Sequence, residues 1–314
     1  MRLVAVAATA AAAVAALGLG CALRDARSDS PGMLEIEASP VEIEPAELNG
    51  LRLRGAVELA SSHPAVGGIS GMLIEGRTLL ALTDRGWLLP SRLVDDGAGL
   101  RPAGGQIEPL LNEEGKRLRA HGEDAEALAR AGGRLAVAFE RQHRVVILDG
   151  VRPWRTVRDR RFERLRFNGG LEALATLPDG RLIAIAEEPA EGGFPVVLLD
   201  EGGVVATGAL PQSGPHLVTG ADLGPDRRLY LLRRHFSLLT GFSARIERYR
   251  LGPDGFPRPE TREPLAAFES GSGIDNMEAI ALWQDGASTR LAIASDDNFM
   301  FLQRTLLIDF EVLD

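Results

Sequence analysis

Acidic residues recur along the chain in pairs that are separated by a nearly constant number of positions. Glu126 is followed by Glu140 after 14 residues, and Glu172 is followed by Glu187 after 15. The chain has one cysteine and five histidines, so a metal site would draw mainly on carboxylate oxygens. Such oxygens are the ligands that Ca²⁺ and Mg²⁺ prefer. The pairs therefore predict a Ca²⁺ site, with Mg²⁺ as the alternative ion.

Each pair belongs to a repeat of two short apolar segments joined by a turn. The segments hold five to seven residues, contain many valines, isoleucines and leucines, and lack the 3.6-residue period of a helix. The five copies, spaced by 56, 46, 47 and 59 residues, begin at Ser70, Glu126, Glu172, Thr219 and Glu278. Propeller blades have a similar length. The repeat predicts an all-β fold, a β-propeller of five or six four-stranded blades. The strand over 51–59 completes the last blade, and a sixth blade would lie within 99–124 or 234–275.

The charged ends of these strands are predicted to lie at one face of the propeller. Adjacent strands of a hairpin run antiparallel, so the start of one strand and the end of the next meet at the same edge. The predicted metal ligands are Asp84, Glu172, Glu187, Asp275, Glu278, Asp296 and Asp297. The predicted catalytic residues are Glu126, Glu140 and His143. The alternative is that the acids bond backbone amides or pair with arginines, and so hold the turns in register.

Basic residues follow the acids in the same turns. A metal flanked by guanidinium groups is a good receptor for a phosphate, because arginine offers a fixed fork of donors. The predicted substrate-binding residues are Arg85, Arg141, Arg144, Arg233 and Arg304. The alternative is that each arginine pairs with the preceding acid or lies on a solvated rim. The sequence contains no G-x-S-x-G elbow, Walker A motif, dinucleotide-binding glycine pattern or H-E-x-x-H motif.

The first 48 residues are typical of an export segment followed by a tether. A run of small and apolar residues extends from Leu3 to Gly20, which is too short and too rich in alanine for a good membrane span. We predict a signal peptide over 1–20 and a polar tether over 21–48. Cys21 is the predicted lipidation site, because the residues before it resemble a bacterial lipobox; simple cleavage is the alternative. A single propeller domain then covers 49–314.

The amino-acid composition limits the kinds of partner that the protein is expected to bind. The net charge of -9 argues against a general nucleic-acid binder, whose phosphate contacts need a basic surface. We expect a monomer that acts on a small anionic substrate, a phosphate ester. We also expect a periplasmic or membrane-anchored lipoprotein of a bacterium, in contact with the membrane only through the N-terminal lipid.

Several motifs occur together in an order that is characteristic of one protein family. They are Gly68-Ile69-Ser70-Gly71, Thr83-Asp84-Arg85-Gly86, Asp124-Ala125-Glu126-Ala127-Leu128, Glu140-Arg141-Gln142-His143-Arg144, Asn168 to Leu174, Asp275-Asn276-Met277-Glu278 and Ser295-Asp296-Asp297-Asn298-Phe299. Together they resemble the bacterial phytase-like family, often labelled "esterase-like activity of phytase", over roughly 50–314. The resemblance implies a β-propeller, secretion, and a phosphoester or ester hydrolase activity.

Two functions from different classes remain open at this point. The leading hypothesis is a secreted, lipid-anchored propeller that binds Ca²⁺ in its acidic mouth and hydrolyses a phosphate ester by metal-activated water, with arginines holding the oxyanion. The alternative is a non-catalytic propeller of the cell envelope that binds a ligand or a protein.

Overall fold

The computed structural model describes residues 32–95 and 99–313. The predicted signal peptide, Cys21 and the first part of the predicted tether lie outside the described residues. The strands, in chain order, are β1 (Gly32–Leu34), β2 (Glu37–Pro40), β3 (Glu47–Leu48), β4 (Leu51–Ala60), β5 (Ile69–Glu75), β6 (Thr78–Thr83), β7 (Trp87–Asp95), β8 (Leu100–Pro109), β9 (Ala125–Ala131), β10 (Arg134–Phe139), β11 (Arg144–Asp149), β12 (Arg152–Val157), β13 (Leu171–Thr176), β14 (Leu182–Ala186), β15 (Phe194–Asp200), β16 (Gly203–Leu210), β17 (Leu217–Leu223), β18 (Arg228–Ser237), β19 (Gly241–Arg250), β20 (Glu263–Phe268), β21 (Asn276–Asp285), β22 (Ser288–Asp296) and β23 (Thr305–Val312).

Helical structure in the described part of the chain is confined to three single turns of 3₁₀ helix. They are Ala120–Gly122, Phe162–Arg164 and Pro259–Thr261. Among these residues no helix has the length and apolar character needed to cross a membrane.

The strands form five antiparallel sheets arranged in a ring, so the fold is a five-bladed β-propeller. Blade 1 is built on β5–β8, blade 2 on β9–β12, blade 3 on β13–β16, blade 4 on β17–β20, and blade 5 on β21–β23 with β4. The inner strands β5, β9, β13, β17 and β21 each contact the next, and β21 contacts β5. The predicted fold is confirmed with five blades. Residues 99–124 form β8 and the connection to blade 2, and 234–275 belong to blade 4 and the connection that follows it.

The ring is closed by pairing the two ends of the described chain. Strand β4 pairs with β23, from Leu51 opposite Val312 to Leu59 opposite Thr305. This pairing confirms the prediction that residues 51–59 complete the last blade. The complete propeller therefore lies within residues 32–313.

The segment before β4 lies on the outside of the ring. Strand β1 pairs with β8 of blade 1, β2 with β4 of blade 5, and β3 with β20 of blade 4. From residue 32 onward, the region predicted as a tether is thus ordered on three blades. It covers backbone groups that the outer strands would otherwise leave unpaired. These strands have two to four residues and few buried side chains, so their sequence lacks the apolar pattern of the blades.

The inner strands approach one another so closely that certain positions need small residues. A Cβ atom on Gly71 would lie 2.8 Å from the backbone nitrogen of Leu128, and one on Gly220 would lie 2.7 Å from the carbonyl oxygen of Glu278. The corresponding residues of the other three blades are Ala127, Ala173 and Ala279. The small side chains let the five blades meet near the axis.

A β-bulge in every blade directs one side chain of the inner strand. In each case the pairing between the first and second strands skips a single residue of the first strand. The skipped residues are Ser70, Glu126, Glu172, Thr219 and Glu278. A bulge bends the strand locally and re-aims the side chain that it carries. These five residues are the starts of the five sequence repeats.

Candidate functional site

Two positions in each blade bring side chains to one edge of the ring. The first is the bulged residue, and the second is the residue on or after the second strand that lies opposite the position two residues before the bulge. In blade 1 the N–H of Asp84 donates to the carbonyl of Gly68 at 2.8 Å, and in blade 2 the N–H of Glu140 donates to that of Asp124 at 2.9 Å. The residues at this second position are Asp84, Glu140, Glu187, Arg234 and Asp296. Four blades supply an acid and blade 4 supplies an arginine.

The two sets of side chains surround a cavity of about 220 Å³, which we call the acidic cup. Its lining consists of Asp84, Asp124, Glu126, Glu140, Arg141, Asn168, Glu172, Glu187, Arg234, Glu278, Asp296 and Asn298. Eight carboxylates thus face two guanidinium groups. Below the cup, the space between the inner strands is only about 10 Å³. The site is therefore closed at its base, and a ligand must enter from the open edge.

The five bulged residues divide into two kinds. The Ser70 hydroxyl donates to the carbonyl of Ala125 at 2.6 Å, and the Thr219 hydroxyl donates to the carbonyl of Met277 at 3.0 Å. Both hydroxyls therefore tie one inner strand to the next blade. The other three bulges carry glutamates, whose carboxylates all line the cup. The β-bulge of the inner strand therefore connects neighbouring blades in blades 1 and 4, and directs a carboxylate into the cup in blades 2, 3 and 5.

Three carboxylates from blade 2 lie close enough to share a metal ion. Asp124, Glu126 and Glu140 each offer an oxygen, and these oxygens all lie within 4.8 Å of one another. One oxygen of Glu140 accepts the N–H groups of Gly169 and Gly170, the second at 3.2 Å, which fixes that side chain. Asp124 was not among the predicted ligands, although it stands at the head of the Asp124-Ala125-Glu126 motif. An acid at this position, just before the first strand, does not recur in every repeat, because blades 1 and 3 have glycine there.

The opposite side of the cup contains an arginine between two acids. Nη2 of Arg234 lies 3.0 Å from Oε1 of Glu187 and 3.4 Å from Oε1 of Glu278. Glu278 also accepts a hydrogen bond of 2.7 Å from the Asn276 side chain. On the blade 2 side, Nε of Arg141 lies 2.8 Å from Asp124. Both guanidinium groups of the cup are therefore paired with carboxylates.

Burial and mutual repulsion make the cup unfavourable for so many negative charges. Burial raises the pKa of Asp84 to about 8, and that of Glu140 to about 7. Burial, with the charges of Glu172 and Glu278, raises the pKa of Glu126 well above its usual range. The pKa of Glu172 is raised for the same reasons. Such carboxyls keep their negative charge near neutral pH only when a cation compensates it.

Three buried oxygens at or near the cup have no hydrogen-bond partner in the described residues. They are Oδ1 of Asp84, Oδ1 of Asn276 and Oδ2 of Asp124, which is ion-paired with Arg141. The glycine at position 68 makes room for the first, because a Cβ atom there would lie 2.4 Å from it. Buried oxygens are normally hydrogen-bonded. An oxygen-binding cation would satisfy them, so the donor set of the cup fits Ca²⁺ or Mg²⁺ better than a softer metal.

Backbone strain is concentrated at the rim of the cup. Arg141, Asn298 and Phe299 have φ angles of 52°, 47° and 51°. These angles lie in the left-handed region, which residues other than glycine rarely adopt. Two of them, Arg141 and Asn298, line the cup. Strain of this kind tends to occur at binding and catalytic sites, where it fixes a side chain in position.

Four of the five predicted substrate-binding arginines lie outside the lining of the cup. Arg85 stacks on the ring of Phe299 at 3.6 Å. Arg144 is buried over Phe139, and it donates to backbone carbonyls of the neighbouring turns. Arg304 donates to the carbonyl of Gly273 at 2.6 Å. Only Arg141 of this set faces the cup.

Arg233 differs most from its predicted place. It is fully buried inside blade 4, where its Nε lies 3.2 Å from Glu247. Successive residues of a strand point to opposite faces, so the shift of one position from Arg234 moves the side chain from the cup to the core. Arg233 and Glu247 form an internal ion pair that also contacts the hydroxyl of Tyr249.

Two predicted metal ligands hold turns by accepting backbone hydrogen bonds. Asp275 accepts the N–H groups of Asn276 and Arg304, at 2.9 and 3.0 Å. Asp297 accepts those of Gly68 and Phe299, at 2.9 and 3.0 Å. Neither acid lines the cup, so these two residues fit the structural alternative stated for the acids.

The predicted acid–base histidine also lies outside the lining of the cup. Nε2 of His143 is 2.9 Å from the carbonyl oxygen of Arg166, which requires this nitrogen to carry the proton. Nδ1 is buried without a hydrogen-bond partner, and burial lowers the pKa of the ring. Burial thus favours the neutral form of His143, and the loop between blades 2 and 3 positions its ring.

Residues 64–299 match the model of the phytase-like family described as "Esterase-like activity of phytase". The chain belongs to this family. The matched range spans all five inner strands and every residue that lines the cup. The predicted family is thus confirmed, and the acidic cup is a feature of a phytase-like propeller.

Solved structures show similarity at the level of the fold. A protein of unknown function from Dyadobacter fermentans is 15% identical with a TM-score of 0.46, covering 92% of this chain and 99% of that one. A gluconolactonase from Xanthomonas campestris is 13% identical with a TM-score of 0.41, covering 91% and 99%. BamB from Moraxella catarrhalis is 12% identical with a TM-score of 0.38, covering 90% and 97%. No curated protein matches the chain.

Proposed function

We propose that this phytase-like protein is a hydrolase of phosphate esters or carboxylic esters that binds Ca²⁺ in the acidic cup, with Mg²⁺ as the alternative ion. The observation that carries the proposal is the enclosure of eight carboxylates with two guanidinium groups, both already paired. This excess of negative charge must be neutralised by protons or by a bound cation. A divalent ion neutralises it without loss of the folded geometry.

The blade 2 carboxylates are the strongest candidates for the ion's ligands. Asp124, Glu126 and Glu140 have oxygens within 4.8 Å of one another. Glu172 of blade 3 lies close enough to raise the pKa of Glu126, so it is a fourth candidate. A bound divalent ion would polarise the ester and offset the negative charge that repels an anionic substrate. Two of the three predicted catalytic residues, Glu126 and Glu140, would then also help to hold the ion.

The side chains of the cup supply the remaining chemistry. Arg234 spans two acids, so its guanidinium group can turn toward an oxyanion while one of them keeps its contact. Without a cation, burial raises the pKa of Glu140 to about 7; a bound divalent ion would hold this carboxylate ionised as one of its ligands. The two N–H groups that bind one oxygen of Glu140 leave the other oxygen for this role.

A specific observation favours the alternative function, a propeller that binds a ligand without hydrolysing it. The Ser70 hydroxyl donates to a backbone carbonyl, and no serine, cysteine or histidine appears among the described residues that line the cup. A cup of acids could therefore retain a cation and an anionic ligand with no reaction.

Titration of metal into the chelator-treated protein tests the common part of both functions. We expect a saturable rise in melting temperature with Ca²⁺, because a ligand that binds only the folded state stabilises it. Glu126→Gln should weaken this response at least tenfold. Asp149→Asn is the matched control, since Asp149 is exposed at the end of β11 that lies opposite the cup. If the melting temperature of the unaltered protein did not change with Ca²⁺, the proposed cation site would be rejected. The acids would then be residues that hold turns.

Hydrolysis of phosphate and carboxylic ester substrates separates the two functions. The hydrolase proposal requires Ca²⁺-dependent turnover that Glu126→Gln and Glu140→Gln abolish and Asp149→Asn preserves. Binding of a phosphate ester with no turnover in the Ca²⁺-loaded protein would instead establish the non-catalytic alternative.

We further propose that the protein is exported and held in the bacterial envelope by a lipid on Cys21. The apolar run over 3–20 and the position of the single cysteine support this. Metabolic labelling with a fatty acid should mark the protein, and Cys21→Ser should remove the label and release the protein in soluble form. A labelled Cys21→Ser variant would contradict the assignment.

A further inference from the structure

The most exposed apolar side chains of the molecule lie around the acidic cup. Among the described residues, six large apolar side chains are more than half exposed. They are Met33 (81%), Phe167 (58%), Leu238 (93%), Leu239 (96%), Phe301 (89%) and Leu302 (74%). Scattered exposed apolar residues are normal on a protein surface, but a set confined to one edge marks an interaction site.

The topology places all six at the edge where the cup opens. Phe167 precedes Asn168, which lines the cup. Leu238 and Leu239 form the tip of the hairpin that continues from Arg234, and its strands remain paired as far as Ser237. The tip thus projects roughly 10 Å beyond the rim, at about 3.3 Å per residue.

The remaining three residues reach the same edge from blades 5 and 1. Phe301 and Leu302 lie between β22, which ends at the cup residue Asp296, and β23. Strand β1 runs antiparallel to β8, and Gly32 lies opposite Ile107 near the cup end of β8. Met33 is therefore on the cup side of blade 1, and the described chain begins at Gly32 on that side.

We propose that the cup edge of the propeller docks on a lipid bilayer, with these apolar tips inserted among the lipids. The tips stand on separate blades around a polar centre, whereas the core of a protein interface is a continuous apolar patch. A fluid surface accepts separate tips without a matching shape, and apolar residues beside polar ones are typical of interfacial binding.

The position of Gly32, where the described chain begins, points to the same orientation. Cys21 lies eleven positions before Gly32, and an extended chain of that length spans at most about 40 Å. A lipid on Cys21 would therefore hold the bilayer on the side of the cup. This orientation also rests on the proposed function, because it would present membrane esters and headgroup phosphates to the cation site.

Flotation with lipid vesicles tests the docking without reference to catalysis. The chain from residue 22 contains the complete propeller, so it can be mixed with vesicles of phosphatidylcholine, alone or with phosphatidylglycerol, in the presence and absence of Ca²⁺. We expect it to float with vesicles that contain phosphatidylglycerol and Ca²⁺. The double variants L238S/L239S and F301S/L302S should each reduce the bound fraction at least tenfold.

The matched controls are Val205→Ser and Trp154→Ser, which alter exposed apolar residues in the outer strands of blades 3 and 2. They should float like the unaltered protein, and all variants should keep its melting temperature. Absence of flotation on every vesicle, or equal flotation of the tip variants, would overturn the proposal and leave a protein partner as the occupant of this edge.

Turnover distinguishes a failure of docking from a failure of the proposed function. The tip variants should hydrolyse a soluble ester like the unaltered protein and lose turnover only of an ester presented in vesicles. Flotation without hydrolysis would reject the hydrolase alone, and hydrolysis of a soluble ester without flotation would reject the docking alone.

Discussion

Blades 3 and 4 use the same backbone positions to present opposite chemistry. Blade 3 places Glu172 on its bulge and Glu187 opposite the residue two positions before it, whereas blade 4 places Thr219 and Arg234 at these positions. The acids of blade 3 add charge to the cup, and Arg234 partly neutralises it at 3.0 Å from Glu187. The fold therefore supplies ten generic positions, and the choice of side chain at each decides the electrostatics of the site.

Two adjacent arginines of blade 4 show how strongly the position of a residue on a strand decides its role. Arg233 is enclosed with Glu247 in the core, and Arg234 faces the cup. Their chemistry is identical and their neighbours in sequence are shared. The alternation of side chains along β18 separates a structural ion pair from a residue of the site.

Loss of the buried arginine should have the largest effect on stability. Arg233→Gln leaves Glu247 buried with less compensation, which costs about 3 kcal/mol or more in the free energy of unfolding. Denaturant titration measures the loss. Arg250→Gln, at an exposed position at the end of β19, should stay within about 0.5 kcal/mol of the unaltered protein. A stable Arg233→Gln variant would show that Arg262 and Tyr249 suffice to compensate Glu247.

The arginines also show how far the sequence determines the site. The repeat was sufficient to predict the propeller, the shared edge and seven of the eight acids of the cup, because each hairpin returns its second strand to the start of the first. It placed the arginine of blade 4 one residue too early. A β-bulge changes the residue count between paired positions, and a count along the sequence does not reveal where the extra residue lies.

Other features had no sequence signal of their own. Strands β1, β2 and β3 have only two to four residues each, too few to show the apolar pattern of a blade strand. Asp275 and Asp297 share residue type and position with the acids of the cup. Only the placement of their side chains, outside the lining of the cup, separates them from those acids.

The pH dependence of stability should distinguish the acids of the cup from other buried acids. The pKa of Asp84 is about 8 and that of Glu140 about 7 in the folded state, above their values in an unfolded chain. The folded protein therefore binds more protons between about pH 4 and pH 8, and its stability falls as the pH rises through that range. In chelator we expect the melting temperature to be more than about 5 °C lower at pH 8.5 than at pH 5.5.

Calcium should remove most of this slope, because the cation replaces the protons that the carboxylates would bind. Asp222 provides the contrast. It is buried between blades 4 and 5, where burial raises its pKa to about 7, and it accepts the N–H groups of Leu223 and Leu282. In the presence of Ca²⁺, the remaining dependence of the melting temperature on pH should be smaller in Asp222→Asn than in the unaltered protein. A slope that Ca²⁺ does not change would place the responsible carboxyls outside the cup.

Substitutions at two bulges should separate stability from metal binding. Thr219→Val removes the hydrogen bond to the carbonyl of Met277, and we expect a loss of about 1–2 kcal/mol with an unchanged response to Ca²⁺. Glu172→Gln should keep or raise stability in chelator, because it removes a carboxyl whose ionisation the buried cup disfavours, and should weaken the response to Ca²⁺. Melting curves over a Ca²⁺ titration measure both quantities. The same pattern in the two variants would mean that all bulged residues have one role.

The smallest expected effect concerns the charge that blade 4 contributes. Arg234→Gln removes a cation that competes with Ca²⁺ for Glu187 and Glu278, so the affinity for Ca²⁺ should rise roughly threefold to tenfold. Calorimetric titration measures the affinity, and Arg250→Gln serves again as the control. The same variant should bind a phosphate ester more weakly, because it lacks the guanidinium fork. The contrary result is that Arg234→Gln binds Ca²⁺ and the phosphate ester with the affinities of the unaltered protein. That result would assign Arg234 a structural role in ion pairs, so that the two arginines of blade 4 would differ only in burial.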